Sequence, residues 1–497
     1  MDRQRRLVGI DLGIASAHTV RVLDSAGREV CRRRCEPSVA SLTLIEQAAL
    51  AGAPEGTRLE VVMEPTGPAW LPIAVFFGAR GHEVFRVSSQ KAADLRRFLS
   101  RHAKSNGIDA DTLARLLLLD PDGLAPLQLP GCERAALDRR VRACDRLTMQ
   151  ASEHKVRLKD LVRQLMPLTP LTGDLGQADL AVLEQWADPR ALLRLGKTRL
   201  TAIIATASRN QQGSARAEQW LASAEAAVEL YDDHPAVAFA DLAAEVATEV
   251  RLLRAIEAEL AIHAAERETA YRWADPGQLA RTLPGLGEVG GPALAAVIGE
   301  ASRFPTGAHF KSYLGLTPRV SETGDTDRKG QPMSKAGSRL LRSTLIRAAD
   351  HARKQDPQLA KVYHVQMVER GAGHLKALCV VAGRMAERAW AVMNRRMPYV
   401  ICDTTGAPVT PEQAKKIIAE TSTVTADVRA RRRSRKTTKA GKAPQQVLTG
   451  QDKSDARGAD KRGDLPHSRS SASNTSTSRT RPRRGPDSNQ RREGTAR

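Results

Sequence analysis

The chain has 497 residues, more than one hydrophobic core ordinarily serves, so two or three domains are expected. Its hydrophobic content of 41% suffices for packed cores, but with only 3% aromatics those cores must lean on Ala, Leu and Val, which favours helices. No apolar run approaches the ~20 residues that a helical membrane span needs, and the net charge of +21 points to a polyanionic partner, most simply nucleic acid. Lys and Arg outnumber Asp and Glu most heavily after residue 421, so the parts expected to fold are only mildly basic. Cys31 and Cys35 flank Arg32-Arg33-Arg34, and no second close Cys or His pair completes a zinc set. The six cysteines therefore read as reduced thiols of a cytoplasmic protein, and Met1-Asp-Arg-Gln-Arg-Arg6 runs straight into a strand with no secretory leader expected.

The first stretch, Val8-Gly-Ile-Asp-Leu-Gly-Ile-Ala-Ser-Ala-His-Thr-Val20, reads as a strand whose apolar run stops at one acid, Asp11. A lone carboxylate among Val, Ile and Leu is costly to bury unless something pairs it, and a divalent cation at the strand end would do so. Leu23 to Arg28 is a polar, Gly-containing hairpin turn. A helix is expected from about Ser41 to Ala51. A strand follows from Arg58, ending at Glu64 before Pro65 and Gly67, with Glu60, Val62 and Glu64 on one face. Next come a helix at about 69–79, a strand at 83–87 and a helix from about Gln90. This order implies a mixed α/β sheet with helices packed on it. Lys104-Ser-Asn-Gly-Ile-Asp-Ala-Asp111 opens a further helix with Asn106, Asp109 and Asp111 crowded into its first turn. The helix dipole alone favours acids there. Alternatively, Asp11, Glu64 and Asp109 converge at one sheet edge to hold Mg²⁺.

An acid in GIDLG, an acid in MEPTG and then KSNGIDA, in that order, resemble the RuvC-like, RNase H-fold domain of DEDD-type insertion-sequence transposases and Piv-type DNA invertases. The resemblance implies four acidic metal ligands. Three fall on Asp11, Glu64 and Asp109, and the remaining Asp of the family pattern falls on Asn106, which offers a carbonyl oxygen with one less negative charge. Asp111 lies two positions further along and would point away from Asp109.

From about Pro130 to Leu165, and again from about Ala238 to Arg272, apolar residues recur at helical spacing, including Leu137, Val141, Cys144 and Leu147 and then Leu242, Val246, Val250, Leu253 and Ile256. The two stretches read as an antiparallel coiled-coil arm with a helical insertion between them. At Leu283-Pro-Gly-Leu-Gly-Glu-Val-Gly290 a Gly-rich turn of helix-hairpin-helix character either offers backbone N–H groups to a DNA phosphate or simply joins two helices. Lys335, Arg339 and Arg342 are spaced four and three, forming one basic face that suits phosphate or is merely solvated. Residues 375–393 form an amphipathic helix that closes this domain. After about Thr421 the composition collapses into Arg, Lys, Ser, Thr, Gly and Pro, a disordered basic tail.

LPGLG, YLGLTPR and SKAGSRLLR resemble the C-terminal domain of the same transposases. That family carries a nucleophilic Ser before Gly, five residues after the Pro of GLTP. The matching position is Thr323, followed by Gly324, with Ser321 as the alternative nucleophile and Ser334 as a third. The expected organisation is an α/β RNase H-like domain over 1–118, a helical coiled-coil arm over 119–275, a mostly α-helical domain over 276–400 and a disordered tail over 421–497. The resemblance implies a Mg²⁺-dependent recombinase acting on double-stranded DNA through a covalent hydroxyl–DNA link, guided by a structured non-coding bridge RNA. It also implies a homodimer or homotetramer in the nucleoid-bearing bacterial cytoplasm. A RuvC-like nuclease or junction resolvase without a covalent link, and an inactive DNA-binding descendant, stand as alternatives.

Overall fold

The computed structural model describes residues 5–65, 67–99, 105–171, 173–232, 234–319 and 331–432, with the backbone of 322–323 and 326–327. Ser321 and most of the expected tail, 433–497, lie outside the described residues. Three strands open the chain, β1 (Arg5–Asp11), β2 (His18–Leu23) and β3 (Glu29–Cys35), joined as antiparallel neighbours. Helix α1 (Val39–Leu50), capped by the Ser38 hydroxyl, leads to β4 (Arg58–Met63). Then follow α2 (Trp70–Ala79), β5 (Glu83–Arg86), α3 (Ser89–Leu99) and α4 (Asn106–Leu119). The sheet order is β3-β2-β1-β4-β5, with β4 parallel to both β1 and β5.

Side chains alternate across each strand, and the two faces build two cores. Val8, Ile10, Val61 and Met63 pack with Leu42, Ile73 and Phe77 beneath α1 and α2. Leu7, Val62 and Phe85 pack with Leu113, Ala114 and Leu117 beneath α4. On this second face Gly9 allows helix and strand to meet backbone to backbone: a Cβ there would collide with the Ala110 carbonyl oxygen and the Ala114 amide nitrogen. Gly9→Val is therefore expected to push α4 off the sheet and cost about 3 kcal/mol, read as a lower midpoint of thermal unfolding.

The segment after α4 stays with the sheet, where Leu127 N donates to the Val84 carbonyl at 2.7 Å and Leu124 joins the second core. Helix α5 (Cys132–Leu165) then leaves, to be joined by α6 (Gln177–Trp186), α7 (Pro189–Ala207), α8 (Ser214–Tyr231) and α9 (Phe239–Ala274). Helices α5 and α9 run antiparallel, tied by Arg157–Glu249, Lys155–Glu257 and Arg140–Glu266 ion pairs of 2.8–2.9 Å. Their apolar stripes behave as their spacing predicts: Leu137, Val141, Val246, Val250 and Leu253 are buried. At the far end Leu158, Val162 and Leu165 pack with Trp220 and Val250 around the insertion α6–α8.

The last core gathers around α10 (Gly290–Ile298) and α11 (Gly307–Tyr313), which a minimal hairpin of β6 (Glu322–Thr323) and β7 (Thr326–Asp327) follows in the chain. This core is completed by α12 (Arg339–Ala352), α13 (Pro357–His364), α14 (His374–Arg395) and α15 (Pro411–Thr421). Asp356, fully buried, caps α13 through the Leu359 amide at 2.8 Å and pairs with Arg388 at 3.0 Å. Residues 421–432, expected in the tail, instead pack on this core. Val424 is buried, residues 426–432 are helical, and Arg432 Nε donates to the Met367 carbonyl at 3.3 Å. Leu375, at the start of the expected amphipathic stretch 375–393, is exposed, because the buried face of α14 begins at Ala377. No helix among the described residues is long and apolar enough to cross a membrane.

Candidate active site

The acids assemble from strand register. Ile10 pairs with Met63 across the parallel β1–β4 ladder, so the next residues, Asp11 and Glu64, are neighbours at the carboxyl edge of the sheet. Asp11 continues the face of Leu7 and Gly9, and Glu64 continues that of Val62, the face that α4 covers. Helix α4 starts at this edge, its N-terminus capped by Ser105, whose hydroxyl accepts from Ile108 N at 3.2 Å. Asp109 precedes Ala110, the residue in backbone contact with Gly9, so the close approach at Gly9 brings Asp109 to the same edge. All three acids are half-buried. Asn106 lies one helical turn before Asp109 and is exposed, on the same flank of α4.

A cation already attends one of these acids. Arg96 Nη1, from the last turn of α3, donates to Asp109 Oδ1 at 3.0 Å. Asp111 is held by Arg115 at 2.7 Å on another flank of the helix, and so does not stand in for the acid that Asn106 lacks. Carboxylate oxygens are the right donors for a hard divalent cation. However, among the described residues no three His, Cys, Asp or Glu side chains stand close enough together to hold one. The donor types fit, while the conformation leaves Asp109 engaged by Arg96.

Two further residues fix the edge. His18 is buried, and its Nδ1 accepts from Gly13 N at 3.1 Å, closing the loop that follows Asp11. Burial pushes the His18 pKa down, against the opposing pull of Glu36, which favours the neutral ring that this acceptor role requires. Arg86, at the end of β5, stacks on Trp70 at 4.1 Å. Desolvation lowers its pKa, the field of Tyr313 counters that and the charge of Arg142 reinforces it. The sequence signalled neither role. His18 reads as one more strand residue, and the neighbours of Arg86 lie in distant segments.

In the C-terminal part, Thr323 pairs with Thr326 at the end of the β6–β7 hairpin. The chain enters and leaves this hairpin through paired segments, with Arg319 N donating to the Pro332 carbonyl at 2.9 Å and Ser334 N to the Thr317 carbonyl at 2.9 Å. Ser334 is thereby held in the stem, half-buried. Gly337, at φ +72°, lies against the Tyr313 carbonyl where no Cβ would fit, locking YLGL to SKAGS. The expected single basic helix face does not form. Helix α12 begins only at Arg339, so Lys335 precedes it, and Arg342 donates to the Leu314 carbonyl at 3.0 Å and the Ala336 carbonyl at 3.1 Å. Lys335 and Arg339 remain exposed. The Gly-rich turn at 283–290 is largely a packing device, with Gly285 against the Ala348 backbone and Gly290 buried.

Comparison with known proteins agrees with both halves. The DEDD-type IS110 transposase family model matches residues 8–167, and the Transposase IS116/IS110/IS902 family model matches residues 277–364. The IS110 insertion element 43.6 kDa protein of Streptomyces coelicolor is 25% identical over 396 residues, covering 78% of this chain and 93% of the relative. The transposase for insertion sequence element IS1328 of Yersinia enterocolitica is 28% identical over 144 residues, 28% of this chain and 40% of that one. The pilin gene-inverting protein of Moraxella lacunata is 26% identical over 121 residues, 24% of this chain and 38% of that one. These similarities mark the chain as a transposase, a DNA-cleaving and rejoining enzyme. Over residues 8–167 and 277–364 the chain is similar to the IS110/IS116/IS902 transposases.

Proposed function

We propose that this transposase moves an insertion sequence by breaking and rejoining double-stranded DNA through a covalent hydroxyl–DNA intermediate, with an RNase H-like (RuvC-like) sheet domain as its metal-dependent half. The convergence of Asp11 and Glu64 at adjacent parallel strand ends, beneath the helix that carries Asp109, is the observation that carries this reading. The strand order β3-β2-β1-β4-β5 supports the RNase H-like assignment. Asp11, Glu64 and Asp109, with the Asn106 carbonyl oxygen, would hold Mg²⁺. When bound, the ion supplies Lewis-acid stabilisation of charge developing on a scissile phosphate.

Thr323 Oγ1 is the nucleophile, with Ser321 as the alternative. Its hydroxyl loses a proton and forms a bond to phosphorus, and the bond from phosphorus to one sugar oxygen breaks. That oxygen leaves as a hydroxyl. A sugar hydroxyl of the exchanged strand then reverses the step, so one phosphodiester replaces another and no external energy source is needed. Exposed Lys335 and Arg339 suit contact with the phosphate backbone. Family resemblance further supports a bridge RNA that selects donor and target, a coiled-coil role for α5 and α9 in a homodimer or homotetramer, and action in the bacterial cytoplasm.

The test is incubation of the full chain with its RNA, end-labelled DNA and Mg²⁺, followed by denaturing electrophoresis. A protein–DNA adduct is expected. Cut DNA with free ends and no adduct would instead make the chain a hydrolytic nuclease.

A further inference from the structure

We infer that the α4 side of β2 and β3 is a DNA contact surface, on which Arg21, Arg32 and Arg34 take backbone phosphates of a duplex. This rests on the DNA-acting reading of the chain and needs no cation at the acids.

Strand register assembles the surface, because directly opposite residues of antiparallel strands share a face. Gly9, which lies against α4, pairs with Arg21, and Arg21 pairs with Arg32. Two residues nearer the carboxyl edge, Asp11 pairs with Thr19 and Thr19 with Arg34. Two residues along a strand advance ~6.8 Å, so Arg32 and Arg34 are spaced much as successive phosphates of one nucleic-acid strand. β3 is an edge strand, open on its outer side, and both arginines are exposed.

The charges here are not matched locally. Arg21 and Arg32 are direct cross-strand neighbours, an arrangement of like charges that destabilises a sheet. Arg21 and Arg34 make no ion pair among the described residues, and Arg32 pairs with Glu29 at 2.5 Å in an exposed contact that a phosphate can displace. Arg28 and Arg115, by contrast, are held by Asp24 at 2.9 Å and Asp111 at 2.7 Å. Charge on an edge strand also deters unwanted strand pairing. That role does not account for Arg21, which stands on an inner strand beside the first turn of α4, where a Cβ on Gly107 would come within 2.8 Å of its Nη2. Guanidinium forks match phosphate geometry, and a DNA backbone offers the three arginines the anions that the protein does not. Arg33 is an internal control: it pairs with Val20, whose side chain is packed in the core beneath α1 and α2, and so belongs to the other face.

The experiment titrates the full chain against a fluorescent DNA duplex by anisotropy over a range of salt concentrations. The double variant Arg32→Gln, Arg34→Gln is expected to bind about ten-fold more weakly at low salt, and its slope of log affinity against log salt to be shallower by about two. The double variant Arg32→Lys, Arg34→Lys stays near wild type. Arginine-selective labelling with phenylglyoxal, read by peptide mapping, then locates the contact on wild type. Duplex is expected to protect Arg32 and Arg34 and to leave Arg33 and Arg28 reactive. Equal affinity and slope in wild type and the neutral variant, with matching circular dichroism, would overturn the surface. Protection of Arg33 in place of Arg32 and Arg34 would do the same. So would a loss of affinity confined to a folded RNA probe in a parallel titration, which would assign these arginines to RNA. A wild-type chain that binds no duplex would overturn the DNA-acting reading and the surface with it, whereas duplex binding that the neutral variant leaves intact removes the surface alone.

Discussion

Asp11→Asn is expected to lower DNA cleavage by roughly a thousand-fold or more, because the phosphate loses stabilisation worth several kcal/mol in the transition state. Asp11 ends β1 beside Glu64, and no other acid of the described chain occupies that register position. The substitution keeps the side-chain shape and removes one negative charge from the edge that must receive a phosphate. DNA binding should therefore hold or tighten while cleavage collapses, a split that a folding defect would not produce. Cleavage of labelled DNA and a gel-shift titration on the same preparation read the two quantities. Asn106→Asp works in the opposite direction. It restores the acid of the family pattern one turn from Asp109 and is expected to tighten divalent-cation binding a few-fold, roughly the effect of one added charge near the surface.

The second large effect is expected at the hairpin. Thr323→Ala should abolish adduct formation and strand exchange, with DNA and RNA binding unchanged, since only the attacking hydroxyl is lost. Thr323→Ser should retain the reaction, its primary hydroxyl being the less hindered nucleophile. If Ser321→Ala is inactive and Thr323→Ala active, the nucleophile lies two residues earlier. Denaturing gels for the adduct and a two-duplex exchange assay separate these outcomes.

The sheet domain was legible because its signals are local. The apolar run before Asp11 marked β1, and Pro65 and Gly67 marked the end of the acid-bearing strand β4. The one-face arrangement of Val62 and Glu64 follows from the period of two alone. The long helices of the arm were equally clear from the spacing of Leu137, Val141, Val246 and Val250. What sequence could not give were partners set by tertiary approach. Arg96 meets Asp109 only because α3 and α4 fold side by side, and Arg342 is drawn from a supposed basic face to the Leu314 carbonyl 28 residues earlier. Gly9 reads as a weak point in a strand until α4 is seen lying on it. The start of the tail was misplaced for a related reason. Val424 and Val428 are isolated apolar residues in a polar run, and isolated residues carry no periodicity to reveal that they reach a core.

Mass spectrometry of the protein–DNA adduct, after nuclease and trypsin digestion, tests the proposed chemistry most directly. Trypsin cutting after Arg319 and Arg328 releases one peptide holding both Ser321 and Thr323, and fragmentation assigns the attached nucleotide to one of them. A nucleotide on Thr323, formed by wild type and absent from Asp11→Asn, is the expected result. DNA cleaved in the presence of Mg²⁺ with no nucleotide on any residue of that peptide would contradict it.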